Sequence, residues 1–216
     1  MSLVRSVLGL AALLVALACG PVAAQPAAFV EGKDYFRIEP AQPTATPGKV
    51  EVLEVFSYTC GACALVQPQV DAWKPRMSSS AAFSYVPVTF NSEAEQLARG
   101  FYAAEALQAP ASVHASMFAA VSRKGRIGSQ DDVADLYAGL GLARPDVLAA
   151  MDSFAVKARV KRVTQSLPRW GVDATPTFIV AGKYRLTGPA AGSYERLFQI
   201  LDFLIAREAA AAAARR

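Results

Sequence analysis

Cysteine is scarce in this chain of 216 residues. There are three, and one of them, Cys19, falls in the first twenty-four positions. The remainder keeps only Cys60 and Cys63, and a bridge across so short a loop removes little chain entropy, so a stabilising disulfide framework is excluded. Histidine is scarcer still. His114 stands alone, with no second histidine or acid cluster beside it, and reads as a packing or helix-surface residue rather than a metal ligand or general base. Charge of one sign is also missing: the net charge is only +4, and no dense Lys/Arg block lies beside aromatic residues. The densest basic run, Lys157-Ala-Arg-Val-Lys-Arg162, is explained by one solvated helix face, so nucleic acid is not an expected partner.

No apolar run is long enough to make a comfortable membrane span. The longest, Val7 to Ala18, follows Arg5 and is closed by Gly20-Pro21, and the small residues Val22-Ala23-Ala24 follow it. That order is a signal peptide over residues 1–24, cleaved before Gln25. A second reading takes Leu17-Ala18-Cys19-Gly20 as a lipoprotein processing site that leaves Cys19 lipidated, although Ala16 stands where such sites carry a larger aliphatic residue. Either way the protein is exported.

What is present centres on Cys60-Gly61-Ala62-Cys63. The run before it, Lys49 to Phe56, is short, apolar and β-branched, and predicts a buried strand. After it, Val66, Val70, Trp73 and Met77 trace the stripe of an amphipathic helix from about Cys60 to Met77, kinked but not ended by Pro68. Cysteines at a strand end that begins a helix meet unpaired backbone N–H groups and the helix dipole, both of which stabilise a thiolate. Strand parity puts Glu54 on the face of Val50, Val52 and Phe56. It is either a strand-end acid paired to a lysine or a buried acid beneath the cysteines that exchanges protons with the inner thiol.

The rest of the chain alternates in kind. Residues 25–48 form an extended approach, in which Phe29–Phe36 either adds an edge strand or lies across the domain. Ala82–Phe90 predicts a second strand, and its Pro87 points to an edge or a bulge. From Asn91 the period turns helical, Ser92-Glu-Ala-Glu95 matches a capping box, and residues 91–167 read as an all-helical insert. Strand signals return at Thr177–Val180 and Lys183–Leu186 around Gly182. A closing helix presents Tyr194, Leu197, Leu201 and Ile205, and an alanine-rich tail frays from Glu208 onward. The expected division is residues 25–90 and 168–207 as two halves of one α/β domain, 91–167 as the insert, and 208–216 as a flexible tail.

Taken together, Val52-Leu-Glu-Val-Phe-Ser-Tyr-Thr-Cys-Gly-Ala-Cys63 and the later Gly171-Val-Asp-Ala-Thr-Pro-Thr-Phe-Ile-Val180 with Gly182-Lys-Tyr-Arg185 resemble the bacterial DsbA-type thiol:disulfide interchange proteins. The resemblance spans roughly Phe29 to Arg207. It implies a thioredoxin fold interrupted by an inserted helical domain. By position it implies Cys60 as exposed nucleophile, Cys63 as buried resolving thiol, Glu54 as buried proton acceptor and Pro176 as a cis-proline facing the disulfide. It also implies Thr175 as the residue whose backbone binds substrate chain, with Gly61 and Ala62 as the tuning dipeptide. The archetype carries Pro-His between its cysteines. Alanine offers neither the charge nor the donor of histidine, so Cys60 is expected to have a higher pKa than the archetype's ~3.5. Its disulfide should fall between the archetype's potential of about −120 mV and thioredoxin's of about −270 mV.

The implied function is periplasmic oxidation of exported proteins by dithiol–disulfide exchange. No cofactor is expected beyond the Cys60–Cys63 disulfide. The implied partners are unfolded or reduced exported proteins and a membrane quinone-linked reoxidase of the DsbB type. Residues 25–49 leave no room for the N-terminal dimerisation domain of isomerases, so a monomer is expected. The alternatives are an isomerase or reductase of the same fold, an oxidant dedicated to a few clients, a metal carrier using both thiolates, and a non-catalytic binding module.

Overall fold

A computed structural model describes residues 29–188 and 192–215. The signal segment at 1–24, the cleavage point before Gln25 and Cys19 lie outside the described residues. Among the described residues no helix is long and apolar enough to cross a membrane.

The strand β2, Val50–Phe56, is buried along its whole length because it runs through the middle of the sheet. Strand β3, Ala81–Pro87, pairs with it in parallel on one side, and β4, Thr177–Val180, pairs antiparallel on the other. Beyond β4 lie β5, Tyr184–Thr187, and the two-residue β1, Phe36–Arg37, giving the order β1-β5-β4-β2-β3. The approach segment therefore contributes an edge strand, though a short one. Pro87 is tolerated at the end of an edge strand, where its missing N–H costs no ladder bond, and the strand stops there rather than at Phe90.

Helix α1, Gly61–Trp73, follows β2 and passes through Pro68. It ends four residues short of Met77, because Pro75 turns Lys74–Arg76 into a 3-10 turn. Five helices fill the middle of the chain: α2, Ser92–Ala106; α3, Ala111–Lys124; α4, Gln130–Ala138; α5, Arg144–Asp152; and α6, Phe154–Arg169. The cap of α2 is Asn91, whose side chain accepts from the Ala94 N–H at 2.8 Å, so Ser92 is the first helical residue and not the cap. A full capping box does occur at α4, between Ser129 and Asp132. Of the basic run on α6, Lys157 pairs with Asp152, and Arg159 pairs with Glu105 while lying over the Tyr102 ring.

The last helix, α7, is Tyr194–Ala213. It runs past Glu208, where fraying was expected. Glu208 is buried there, paired with Lys183 and accepting from the Tyr184 hydroxyl, and this ties the last turns to the sheet. Two apolar cores flank the sheet. One joins Val50, Val52, Phe178 and Val180 to Val66, Val70 and Trp73 of α1 and to the buried stripe of α7. The other joins Leu53, Val55, Phe56 and Ile179 to the middle helices. This is a thioredoxin fold with a helical domain inserted between β3 and β4.

Candidate active site

Cys60 caps α1. Its backbone is extended, at φ −93° and ψ 113°, and its Sγ accepts the Cys63 N–H at 3.3 Å. The sulfur also sits 3.4 Å from the Thr175 carbonyl oxygen, which brings the second half of the fold to the first cysteine. Both cysteines are free; Cys60 is half-buried and Cys63 fully buried. A hydrogen bond from the Cys63 thiol, opposed by partial burial and aided by the backbone N–H groups of Cys63 and Ala62, brings Cys60 down to about 5. The same hydrogen bond pushes the Cys63 thiol up, with burial adding to it. One sulfur is thus a thiolate at neutral pH and the other a thiol.

The Thr175–Pro176 peptide is cis. Pro176 lines a surface cleft with Ala62, Gly188, Gly192, Ser193 and Tyr194, directly beside the cysteine dipeptide. The Tyr194 hydroxyl lies 3.4 Å from the Ala62 carbonyl and ties α7 to α1 at this edge. Gly61 is unobstructed, with no neighbour near the position a Cβ would occupy.

Glu54 lies beneath, fully buried, and neither carboxylate oxygen has a hydrogen-bond partner. It is buried and paired to no lysine among the described residues. Burial pushes it up to about 8; Lys74 opposes that shift, while Asp71 and Cys60 add to it. Its neighbour across the parallel ladder is Tyr85.

The sequence did not reveal the polar network around that tyrosine. Tyr85 Oη lies 3.0 Å from Lys74 Nζ and 2.8 Å from Gln67 Nε2, and Lys74 pairs with Asp71 at 2.7 Å. The Asp71 carboxylate can only accept, so the Gln67 amide must present its nitrogen there, at 3.2 Å. Gln67 Oε1 then faces His114 Nε2 at 3.1 Å. His114 Nε2 must therefore carry the proton, leaving Nδ1 to accept from the Tyr58 hydroxyl at 2.8 Å. Burial, reinforced by Lys74, brings His114 down to about 4, so the ring is neutral. It packs edge-on against Phe56 and is a partly buried packing residue that joins the insert to Tyr58 and Gln67 on either side of the cysteine turn. The one signal available from sequence was parity: Tyr85 is the aromatic polar residue that a parallel partner of β2 would set beside Glu54.

A strand–turn–helix with a cysteine cap, a buried acid below it and a cis-proline loop against it define the class: a thioredoxin-fold protein built on a dithiol centre. The chain belongs to the DSBA-like thioredoxin domain family, whose sequence model matches residues 36–202. It is 35% identical over 207 residues to the thiol:disulfide interchange protein DsbA of Pseudomonas syringae pv. tomato, covering 95% of this chain and 97% of that one. Among solved structures it superposes on Pseudomonas aeruginosa DsbA with a TM-score of 0.81 at 28% identity, over 86% of this chain and 97% of that one. Oxidoreductase DsbA from Xylella fastidiosa gives 0.75 at 33% identity, over 84% and 98%.

Proposed function

We propose that this chain is a periplasmic thiol:disulfide oxidoreductase that introduces disulfides into exported proteins. The observation that carries this is the asymmetry of the pair: a half-exposed sulfur held as thiolate beside a buried sulfur held as thiol. In the oxidised protein a substrate thiolate attacks Cys60 Sγ. The Cys60–Cys63 bond breaks, its electron pair leaves on Cys63, and a mixed disulfide joins substrate to Cys60. Glu54, protonated at neutral pH, supplies the proton that Cys63 takes up, and accepts it back when Cys63 later attacks. A second substrate thiolate attacks the substrate sulfur of the mixed disulfide and expels Cys60 as thiolate. The substrate loses two electrons and the protein gains them.

The Cys60 thiolate is the better leaving group because its surroundings stabilise it, and the same stabilisation makes the disulfide an oxidant. Thr175 and Pro176 offer backbone and an apolar surface to an unfolded chain in the cleft beside Ala62. Reoxidation falls to a membrane quinone-linked protein of the DsbB type, and the protein works as a monomer with no cofactor beyond its own disulfide. The test is to mix oxidised protein with a reduced, unfolded two-cysteine substrate. One substrate disulfide should appear per protein reduced, and Cys60→Ser should abolish it. Retention of the protein's disulfide in the presence of such a substrate would overturn the proposal.

A further inference from the structure

Glu54 is a buried carboxyl with no hydrogen bond of its own, so burial raises it and the charges nearby adjust the point at which it ionises. From β3 the group facing it is Tyr85, and from β4 its ladder partner is Phe178, which does not titrate. Cys60 and the buried Cys63 stand at the start of α1; α7 brings apolar residues to the adjoining core together with Tyr194, whose hydroxyl meets the Ala62 carbonyl, and Asp202, which accepts from Trp73 Nε1. From the insert, the His114 ring lies tilted against Tyr85, with ring centres 4.1 Å apart, and is neutral. Besides the Cys60 thiolate, the charges that act on Glu54 are Lys74 and Asp71. Lys74 Nζ lies 4.9 Å above the centre of the Tyr85 ring, on the residue that faces Glu54. Asp71 holds that ammonium at 2.7 Å, and Gln67, fixed in turn by His114, holds Asp71.

The pair has little use as a stabilising bridge. Its side chains are 30% and 45% exposed, and bridges of that exposure contribute little. Resting on the reading that Glu54 exchanges a proton with Cys63, we infer that the Asp71–Lys74 pair is a positioning device for that proton. Lys74 favours the Glu54 carboxylate, Asp71 opposes it by engaging Lys74, and their balance sets when Glu54 releases its proton. Burial works against the charge of each partner, yet the bonds between them hold Asp71 below its usual range and Lys74 above, so both stay charged across the working pH.

The two halves of one ion pair should therefore act with opposite sign, which mere loosening of the structure cannot produce. The experiment is carboxyl titration of Glu54 by NMR in 13C-glutamate-labelled protein, with Glu54→Gln assigning the resonance. Lys74→Met should raise the Glu54 midpoint and Asp71→Asn should lower it. Each shift is on the order of one pH unit, tenfold in carboxylate population at fixed pH. Lys74→Arg should leave it near the unaltered value. Shifts of the same sign in Lys74→Met and Asp71→Asn, or no shift in either, would overturn the inference. The pH profile of disulfide transfer, recorded on the same variants, separates this from the role of Glu54. If the carboxyl moves in opposite directions while the profile stays fixed, the ion-pair inference holds and the proton role of Glu54 fails. If Glu54→Gln alters the profile but neither partner moves the carboxyl, the inference fails and the role stands.

Discussion

Replacing Ala62 with histidine, the residue found at this position in the archetype, tests how the dipeptide sets oxidising power. Here Cys60 sits at about 5, held by Cys63 and by backbone N–H groups, with no side chain from the dipeptide adding charge. The archetype's cysteine is near 3.5, a difference of about 1.5 pH units, or about 2 kcal/mol of thiolate stabilisation. For a two-electron couple that is about 45 mV. Cys60 is partly exposed, and screening reduces the figure, so a deficit of about 20–45 mV is expected. The disulfide should therefore equilibrate near about −140 to −165 mV, and Ala62→His should recover part of the gap. The assay is equilibration in glutathione buffers followed by acid quenching, thiol alkylation and mass analysis. Sign follows from linkage: Cys60 is depressed in the fold, so the stability it lends the reduced form is present above 9.0 and is lost as pH falls through about 5. The potential should consequently change by about 30 mV per pH unit near neutrality and about 59 mV per unit below the break at Cys60's midpoint. A potential at or below thioredoxin's, or a directly titrated Cys60 midpoint under about 4, would refute this reasoning.

Glu54 is raised in the fold to about 8 from 4.5, so the stability its protonated form permits is complete below 4.5 and lost as pH rises through 8. Glu54→Leu should stabilise the reduced protein by about 2–3 kcal/mol at pH 7 in urea titrations and remove that loss of stability with rising pH; an unchanged pH dependence would contradict the burial argument. His114 runs the other way, lowered to about 4 from 6.5, so stability is present above 6.5 and lost as pH falls through 4. His114→Phe should remove that acid limb while costing about 1–3 kcal/mol, because Tyr58 and Gln67 lose a buried partner. Gly100 on α2 is closely packed: a Cβ there would lie 2.4 Å from Val133 Cγ1 and 2.7 Å from Tyr137 Cε2. Gly100→Ala should lower the thermal midpoint by an amount matching about 1–3 kcal/mol, despite alanine's better helix propensity, and no loss would mean that α4 yields to the methyl group.

The parts legible in the sequence were those fixed by short-range pattern. The β2 run, the cysteine cap and the α1 stripe are local, so strand, helix and dithiol position followed from neighbours in the chain, whereas the Thr175-Pro176 loop was legible only through the family resemblance. Element ends were less legible because single residues override period: Pro75 cuts α1 short, and Asn91 takes the cap from Ser92. The tail departs from its local pattern for another reason. Alanine-rich sequence frays only if nothing holds it, and the tie from Glu208 to Lys183 joins residues twenty-five apart. The Tyr58–His114–Gln67–Tyr85–Lys74 network was illegible because its members come from five separate places in the fold, and nothing in the spacing of a lone histidine says which strand it will lie against.

The most direct measurement on the central claim is trapping the mixed disulfide. Cys63→Ser, charged with a reduced one-cysteine substrate under mild oxidation, should accumulate an adduct that peptide mass mapping locates on Cys60. Cys60→Ser should accumulate none, since Cys63 is fully buried and out of reach of a substrate thiol. An adduct on Cys63, or none on Cys60, would contradict the account.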